Sequence, residues 1–161
     1  MNSRSQVNQA LDNEHRATLE LLGRVEQTFV RVPAPTGEDL ARLAASLAAH
    51  IERDIGRHFD FEERELFPRL EEAGTGDLVE LLMEEHRAIR EVTGELLPLA
   101  RAASTGPLDR GQAGALKRCA LEMAERLRAH IDKETMALLP EIDSMLDEDT
   151  DRGLALGYAE A

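Results

Sequence analysis

The sequence predicts an all-α fold: an up-down-up-down antiparallel four-helix bundle with an internal pseudo-two-fold repeat. Ala, Leu, Glu and Arg dominate, Trp is absent, and aromatic residues make up 3% of the chain. Those are strong helix formers and poor strand formers. Apolar residues recur at helical spacing in four blocks, and no convincing period-2 run is present. Short polar linkers join the blocks, which favours antiparallel neighbours.

The first block runs from about Ser5 to Val32, with Leu11, Leu19, Leu22, Val25 and Phe29 near one stripe. Pro33 and Pro35 end it. Thr36 with Asp39 is a start signal for the second helix, which carries Leu40, Leu43, Leu47, Ile51, Ile55, Phe59, Glu62 and Leu66. Pro68 is expected to kink or end it, and Gly74 and Gly76 to break the chain. The third block, Leu78 to about Arg101, holds Leu81, Leu82, Ile89, Val92, Leu96 and Leu97, with Pro98 near its end. After the linker at residues 104–107, the fourth block runs from Leu108 to about Leu146 with Leu116, Leu121, Leu127, Ile131, Leu138 and Ile142. Residues 1–146 are thus expected to form the bundle. The acidic tail, residues 147–161, is expected to be a loose end or a packed flap.

A chain of 161 residues has room for one domain and a real hydrophobic core. Nineteen basic residues stand against 32 acidic ones, a net charge of −13. No Lys/Arg stripe is present, so nucleic acid and anionic membrane surfaces are poor partners. No apolar run approaches the roughly 20 residues of a membrane span. The N-terminal segment has no apolar signal core, and the single cysteine, Cys119, has no partner for an internal disulfide. The expected compartment is the cytoplasm.

The chain repeats itself, and the repeat falls on histidines. Glu14-His15-Arg16-Ala17 recurs 71 residues later as Glu85-His86-Arg87-Ala88. His58-x-Asp60-x-Glu62 recurs 72 residues later as His130-x-Asp132-x-Glu134, and Pro68 and Pro140 share that offset. Singly, each element is an ordinary helix feature: a lone core histidine, or a solvated i,i+4 pair. Together they account for four of the five histidines in the chain. Two hairpins about a pseudo-two-fold axis would bring His15, His58, Glu62, His86, His130 and Glu134 into one bundle core.

Residues i and i+4 share a helix face, about 6 Å apart along the axis. Four imidazoles and two carboxylates exceed the needs of one tetrahedral zinc. They suit two ions, each with two histidines, with Glu62 and Glu134 shared as bridges. Iron and manganese take more ligands than the roughly four this supplies per ion, leaving places for a bridging oxo or hydroxo group and an open position. The mixed N/O set fits redox-active iron better than structural zinc, with zinc and manganese as alternatives. Unpaired buried carboxylates would cost several kcal/mol, so the metal-free form is expected to be less stable.

These motifs, in this order from residue 14 to residue 140, resemble the hemerythrin-like, or HHE cation-binding, family. The matching segments are Glu14-His15-Arg16, His58-Phe59-x-x-Glu62-Glu63 followed by Leu66-Phe67-Pro68, Glu84-Glu85-His86, and His130-x-x-x-Glu134. The resemblance implies a four-helix bundle with a non-haem di-iron centre that binds O2, or that senses or handles oxygen, nitric oxide, peroxide or iron. One departure stands out. Oxygen-carrying members place a second histidine one turn before the one matched by His86, where this chain has Leu82; one turn after it stands Arg90. Neither coordinates, so stable O2 carriage is less expected.

His50, eight residues before His58, is expected to be structural or exposed. Asp54 and Glu65 lie near enough to the ligand face to offer a spare carboxylate. Glu14, Glu63 and Glu85 adjoin ligands but point to other faces, so surface charge or pairing with a ligand is expected rather than coordination. Three functions follow: a protein that binds a small ligand, an enzyme that removes peroxide or oxidises Fe(II), or a regulatory module read by a partner.

Overall fold

The computed structural model describes residues 4–31 and 37–161, which form five helical rods and no strand. They are α1 (Gln6–Phe29), α2 (37–72), α3 (Gly76–Thr105), α4 (110–145) and α5 (Glu148–Glu160). The stop at Pro33 and Pro35 and the start at Thr36 lie outside the described residues. α1 is capped by Ser5, whose hydroxyl accepts from the Asn8 amide. α4 starts at Arg110 under a capping box in which Asp109 and Gln112 satisfy each other's backbone amides. α2 ends at Gly74, whose φ of 97° is one that glycine adopts without strain; the Thr75 amide and hydroxyl both close on the Leu70 carbonyl.

Pro68 and Pro140 do not end their helices. Each follows a π-helical turn, Glu62–Leu66 and Glu134–Leu138, in which the Phe67 amide bonds to the Glu62 carbonyl and the Leu139 amide to that of Glu134. A proline inside an α-helix strips the carbonyl four residues back of its donor and crowds it. Widening the preceding turn to i→i+5 bonding accommodates the ring and lets the rod continue. A third π turn, His50–Ile55, lies earlier in α2. α3 runs through Pro98 to Thr105, with Ala100 and Ala103 buried beyond the proline. Leu81, expected on the apolar stripe, is 46% exposed, while Leu82 beside it is fully buried.

α2 packs on α3, α3 on α4, and α1 on α4 and α5. The interior separates into two apolar clusters. One gathers Leu22, Val25, Leu47, Ile89, Leu96 and Met123. The other gathers Val7, Leu11, Leu66, Leu82, Leu138 and Ile142. The acidic tail forms α5. Its Asp151 carboxylate accepts from the Gln6 and Val7 amides, both at 2.9 Å, which fixes a negative charge on the positive end of α1. Among the described residues no helix is long and apolar enough to cross a membrane.

Candidate metal centre

Between the two apolar clusters lies a polar layer. It holds His15 from α1, His58 and Glu62 from α2, His86 from α3, and His130 and Glu134 from α4, all buried. Core residues Leu11, Ile55, Leu82 and Leu127 stand three or four positions before the four histidines, so the apolar stripe of each helix aims its histidine inward. Glu62 and Glu134 each open a π turn, a feature often found at functional sites.

The four Nε2 atoms converge on the two carboxylates. Glu134 Oε1 lies 3.0 Å from His130, 3.3 Å from His15 and 3.8 Å from His58. Glu62 Oε1 lies 3.3 Å from His86 and 3.5 Å from His58. Two donor sets result, each with ligand atoms within 4.8 Å of one another: Glu62, His86, His130 and Glu134, and His15, His58 and Glu134. Glu134 belongs to both sets; Glu62 belongs to one and also reaches toward His58.

The outward nitrogens are held by carboxylates. His58 Nδ1 pairs with Glu14 at 2.7 Å, His130 Nδ1 with Glu85 at 2.8 Å, and His86 Nδ1 with Glu63 at 2.9 Å. With Nδ1–H donated outward, each Nε2 lone pair is left facing the centre, the tautomer a metal ligand needs. The glutamate before each lone histidine thus serves the histidine of the other helix in the same hairpin. His15 Nδ1 has no partner.

Among the described residues, all four Nε2 atoms and all four oxygens of Glu62 and Glu134 are buried without a hydrogen-bond partner. Native interiors rarely leave polar atoms in this state. Cations placed in the two donor sets would give partners to the inward nitrogens and to both carboxylates, so the donor set fits metal ions.

Without a cation the rings disagree about protons. Burial drives His15 down to about 4, helped by the neighbouring His58. Burial also opposes charge on His58, but Glu62 and Glu14 outweigh it and raise the ring to about 10. Burial lowers His130 against the pull of Glu85. Glu62 is held below the carboxylate range by His58 and His86, which overcome its burial.

Leu82 fills its position as apolar core. Arg90 pairs with Glu63 at 2.6 Å and Asp60 at 3.2 Å, so it braces the carboxylate that holds His86. Asp54 and Glu65 are not in the donor sets: Asp54 pairs with His50 and Glu65 with Arg69. His50 is neither exposed nor a ligand. It borders a cavity of about 120 Å³ that also touches His15, His58, His130 and Glu134.

Sequence reasoning missed α5's part in the site. The Tyr158 hydroxyl donates to Glu14, and Arg57 reaches both Glu14 and the Tyr158 carbonyl while its guanidinium lies 4.1 Å from the Tyr158 ring centroid. The only tyrosine in the chain, set beyond the repeat, was the one available signal.

An all-helical chain with a buried layer of histidines and carboxylates falls among helical proteins whose core side chains can hold metal ions. The particular family follows from comparison with known ones: residues 6–142 match the hemerythrin HHE cation binding domain, and the chain belongs to that family. α5 lies beyond the matched residues. No curated protein matches significantly.

Proposed function

We propose that this protein holds two iron ions among His15, His58, Glu62, His86, His130 and Glu134, within an up-down-up-down arrangement of α1 to α4, and binds a small ligand there. The ligand class is O2, NO or peroxide, and the role is sensing, storage or detoxification. The observation that carries the reading is the set of inward donor atoms left without partners while three outward Nδ1 atoms are each held by a carboxylate. His15 and His58 would hold one ion and His86 and His130 the other, with Glu134 reaching both. Bound iron would supply a redox-active Lewis acid with open positions for the ligand.

The chain's own residues then set orientation and access. Glu14, Glu63 and Glu85 fix the rings and raise their basicity. Phe59 and Phe67 pack against His86 and shield that ring from water. The cavity touches His15, His58 and Glu134 and reaches His130 of the other half, so a small ligand has access there.

The test is metal analysis of the purified chain, followed by the optical spectrum of the Fe(II)-loaded protein through one cycle of air and argon. A band that appears with air and disappears with argon identifies reversible O2 binding. A band that appears and stays sinks carriage and leaves sensing or peroxide chemistry. A protein that takes up no iron refutes the di-iron reading. A second reading, an enzyme that removes peroxide or oxidises Fe(II), draws support from the same cavity and from Leu82 standing where oxygen carriers have a further histidine.

A further inference from the structure

The repeat is broken beside one half of the site, and the break builds a hydrogen-bonded line out to solvent. Thr18 Oγ1 lies 3.0 Å from His50 Nε2, and His50 Nδ1 lies 3.0 Å from Asp54 Oδ2. Thr18 is buried, the His50 side chain is 13% exposed and that of Asp54 is 58% exposed. All three border the cavity of about 120 Å³ that also touches His15, His58, His130 and Glu134. A helical threonine hydroxyl commonly bonds back to a carbonyl of the preceding turn; the hydroxyl of Thr18 has His50 instead. Both His50 ring nitrogens are taken, so the ring has no nitrogen free for a metal.

The other half has nothing equivalent. At the offset of the repeat, Thr18 corresponds to Ile89, His50 to Glu122 and Asp54 to Arg126. The groove lined by Ile89, Glu122 and Arg126 touches none of the six site residues. A histidine between a carboxylate and a hydroxyl, placed only where the site has a cavity, suits proton delivery better than scaffolding.

We propose that Thr18, His50 and Asp54 form a proton relay for a small protic ligand, of the class of hydrogen peroxide, bound in this cavity beside His15 and His58. This rests on the metal-centre reading above, because the ligand is held there. Asp54 orients the ring and stabilises its protonated form. Neutral His50, with Nδ1–H donated to Asp54, accepts from the Thr18 hydroxyl. In the imidazolium, Nε2–H donates to Thr18 Oγ1 and the hydroxyl hydrogen turns to the ligand. One proton passes from Nε2 to Oγ1, one passes from Oγ1 to the ligand oxygen, and the ring regains one from solvent. No electron moves in the relay. Thr18 is the group that touches the ligand, and His50 acts through it. Burial lowers His50 and Asp54 opposes that; the other charged groups facing the ring are His58 on α2 and Glu14 on α1.

The experiment measures iron content, azide affinity of the ferric protein between about pH 5 and 8, and peroxide removal. It compares wild type with His50→Gln, Thr18→Val and Thr18→Ser. Azide reports the donor directly: its affinity should rise as pH falls through one inflection in wild type and Thr18→Ser. That inflection should vanish in His50→Gln and Thr18→Val at unchanged iron content. Peroxide removal should fall by about 10²-fold or more in the same two variants, the usual scale of proton transfer by a positioned side chain. Thr18→Val is nearly isosteric and reports even where His50→Gln destabilises α2. An inflection that persists in either variant at full iron content, or that is missing from wild type, overturns the relay and leaves the metal centre standing. Iron missing from wild type overturns the metal centre itself.

Discussion

At His86 the ring lies flat on Phe59, with centroids 3.8 Å apart and planes 7° from parallel, and Phe67 stands 5.4 Å away. Glu63 holds its Nδ1, and Arg90 holds Glu63. At His15, its counterpart in the repeat, Nδ1 has no partner. The position matching Glu63 is Thr135, which is exposed; the position matching Phe59 is Ile131; the position matching Arg90 is Leu19. A branched aliphatic chain replaces an aromatic face, and the cavity lies on that side, bordered by Ile131. The two halves share their ligand types, the Glu14 and Glu85 braces and the core residues Leu11 and Leu82, and differ at the positions of Glu63, Phe59 and Arg90. The cavity touches both rings of the His15 half but only His130 of the other, where His86 is packed under Phe59 and Phe67, so a repeat in sequence need not make two equal sites.

The largest expected effect falls on both halves together. Chelating the metal from the loaded protein should lower its melting temperature by many degrees, because the buried donor atoms of both halves then lose their only partner. Calorimetry with and without iron checks this, and equal melting temperatures would contradict it. Within the loaded protein, Glu134→Ala should cut iron content at both halves, since Glu134 belongs to both donor sets. Glu62→Ala should spare the His15 half. Iron per chain, measured by elemental analysis, separates the two variants.

Smaller effects probe the surroundings. Glu63→Gln weakens the brace on His86 and should cost about 10 to 100-fold in metal affinity, measured by competition with a chelator. Thr135→Ala, its counterpart, should leave affinity unchanged. Ile131→Phe should fill the cavity and slow azide binding at full iron content, with a stability cost of about 1–3 kcal/mol from overpacking; unchanged azide kinetics would remove the cavity as the route.

A pH profile of the metal-free chain tests the same contrast without any ion. The folded His15 takes its proton only near pH 4 while the unfolded one takes it near 6.5, so acid favours unfolding across that window. The folded His58 keeps its proton to about pH 10, so its contribution is present below 6.5 and is lost as pH rises toward 10. The urea midpoint should therefore peak near pH 6.5 and fall on both sides. A midpoint that climbs steadily into alkali would mean that His58 is not held charged by Glu62 and Glu14.

Much of the fold was legible. The stripes through Leu11, Leu22, Leu47, Ile89, Leu116 and Ile142 are buried as their spacing required. Leu81 escaped because neighbouring leucines both satisfy a loose helical pattern, and only packing decides which one faces inward. Pro68 misled because its effect depends on the backbone ahead of it: a widened turn accommodates it, as another accommodates Pro140, and α3 continues past Pro98 to Thr105. The tail gave weak signals because α5 has little apolar surface of its own and is held by Asp151 and Tyr158 on α1.

The sequence by itself determined the first four helices, the family resemblance and the six residues that converge, because a 3.6-residue period and an internal repeat are properties of one strand of text. Only the tertiary structure decided which carboxylate faces three rings, which histidine lacks an outer partner, and where His50 and Tyr158 lie. Those depend on distances between residues 32 to 144 positions apart, and no local pattern encodes a distance that is fixed only when separate helices pack.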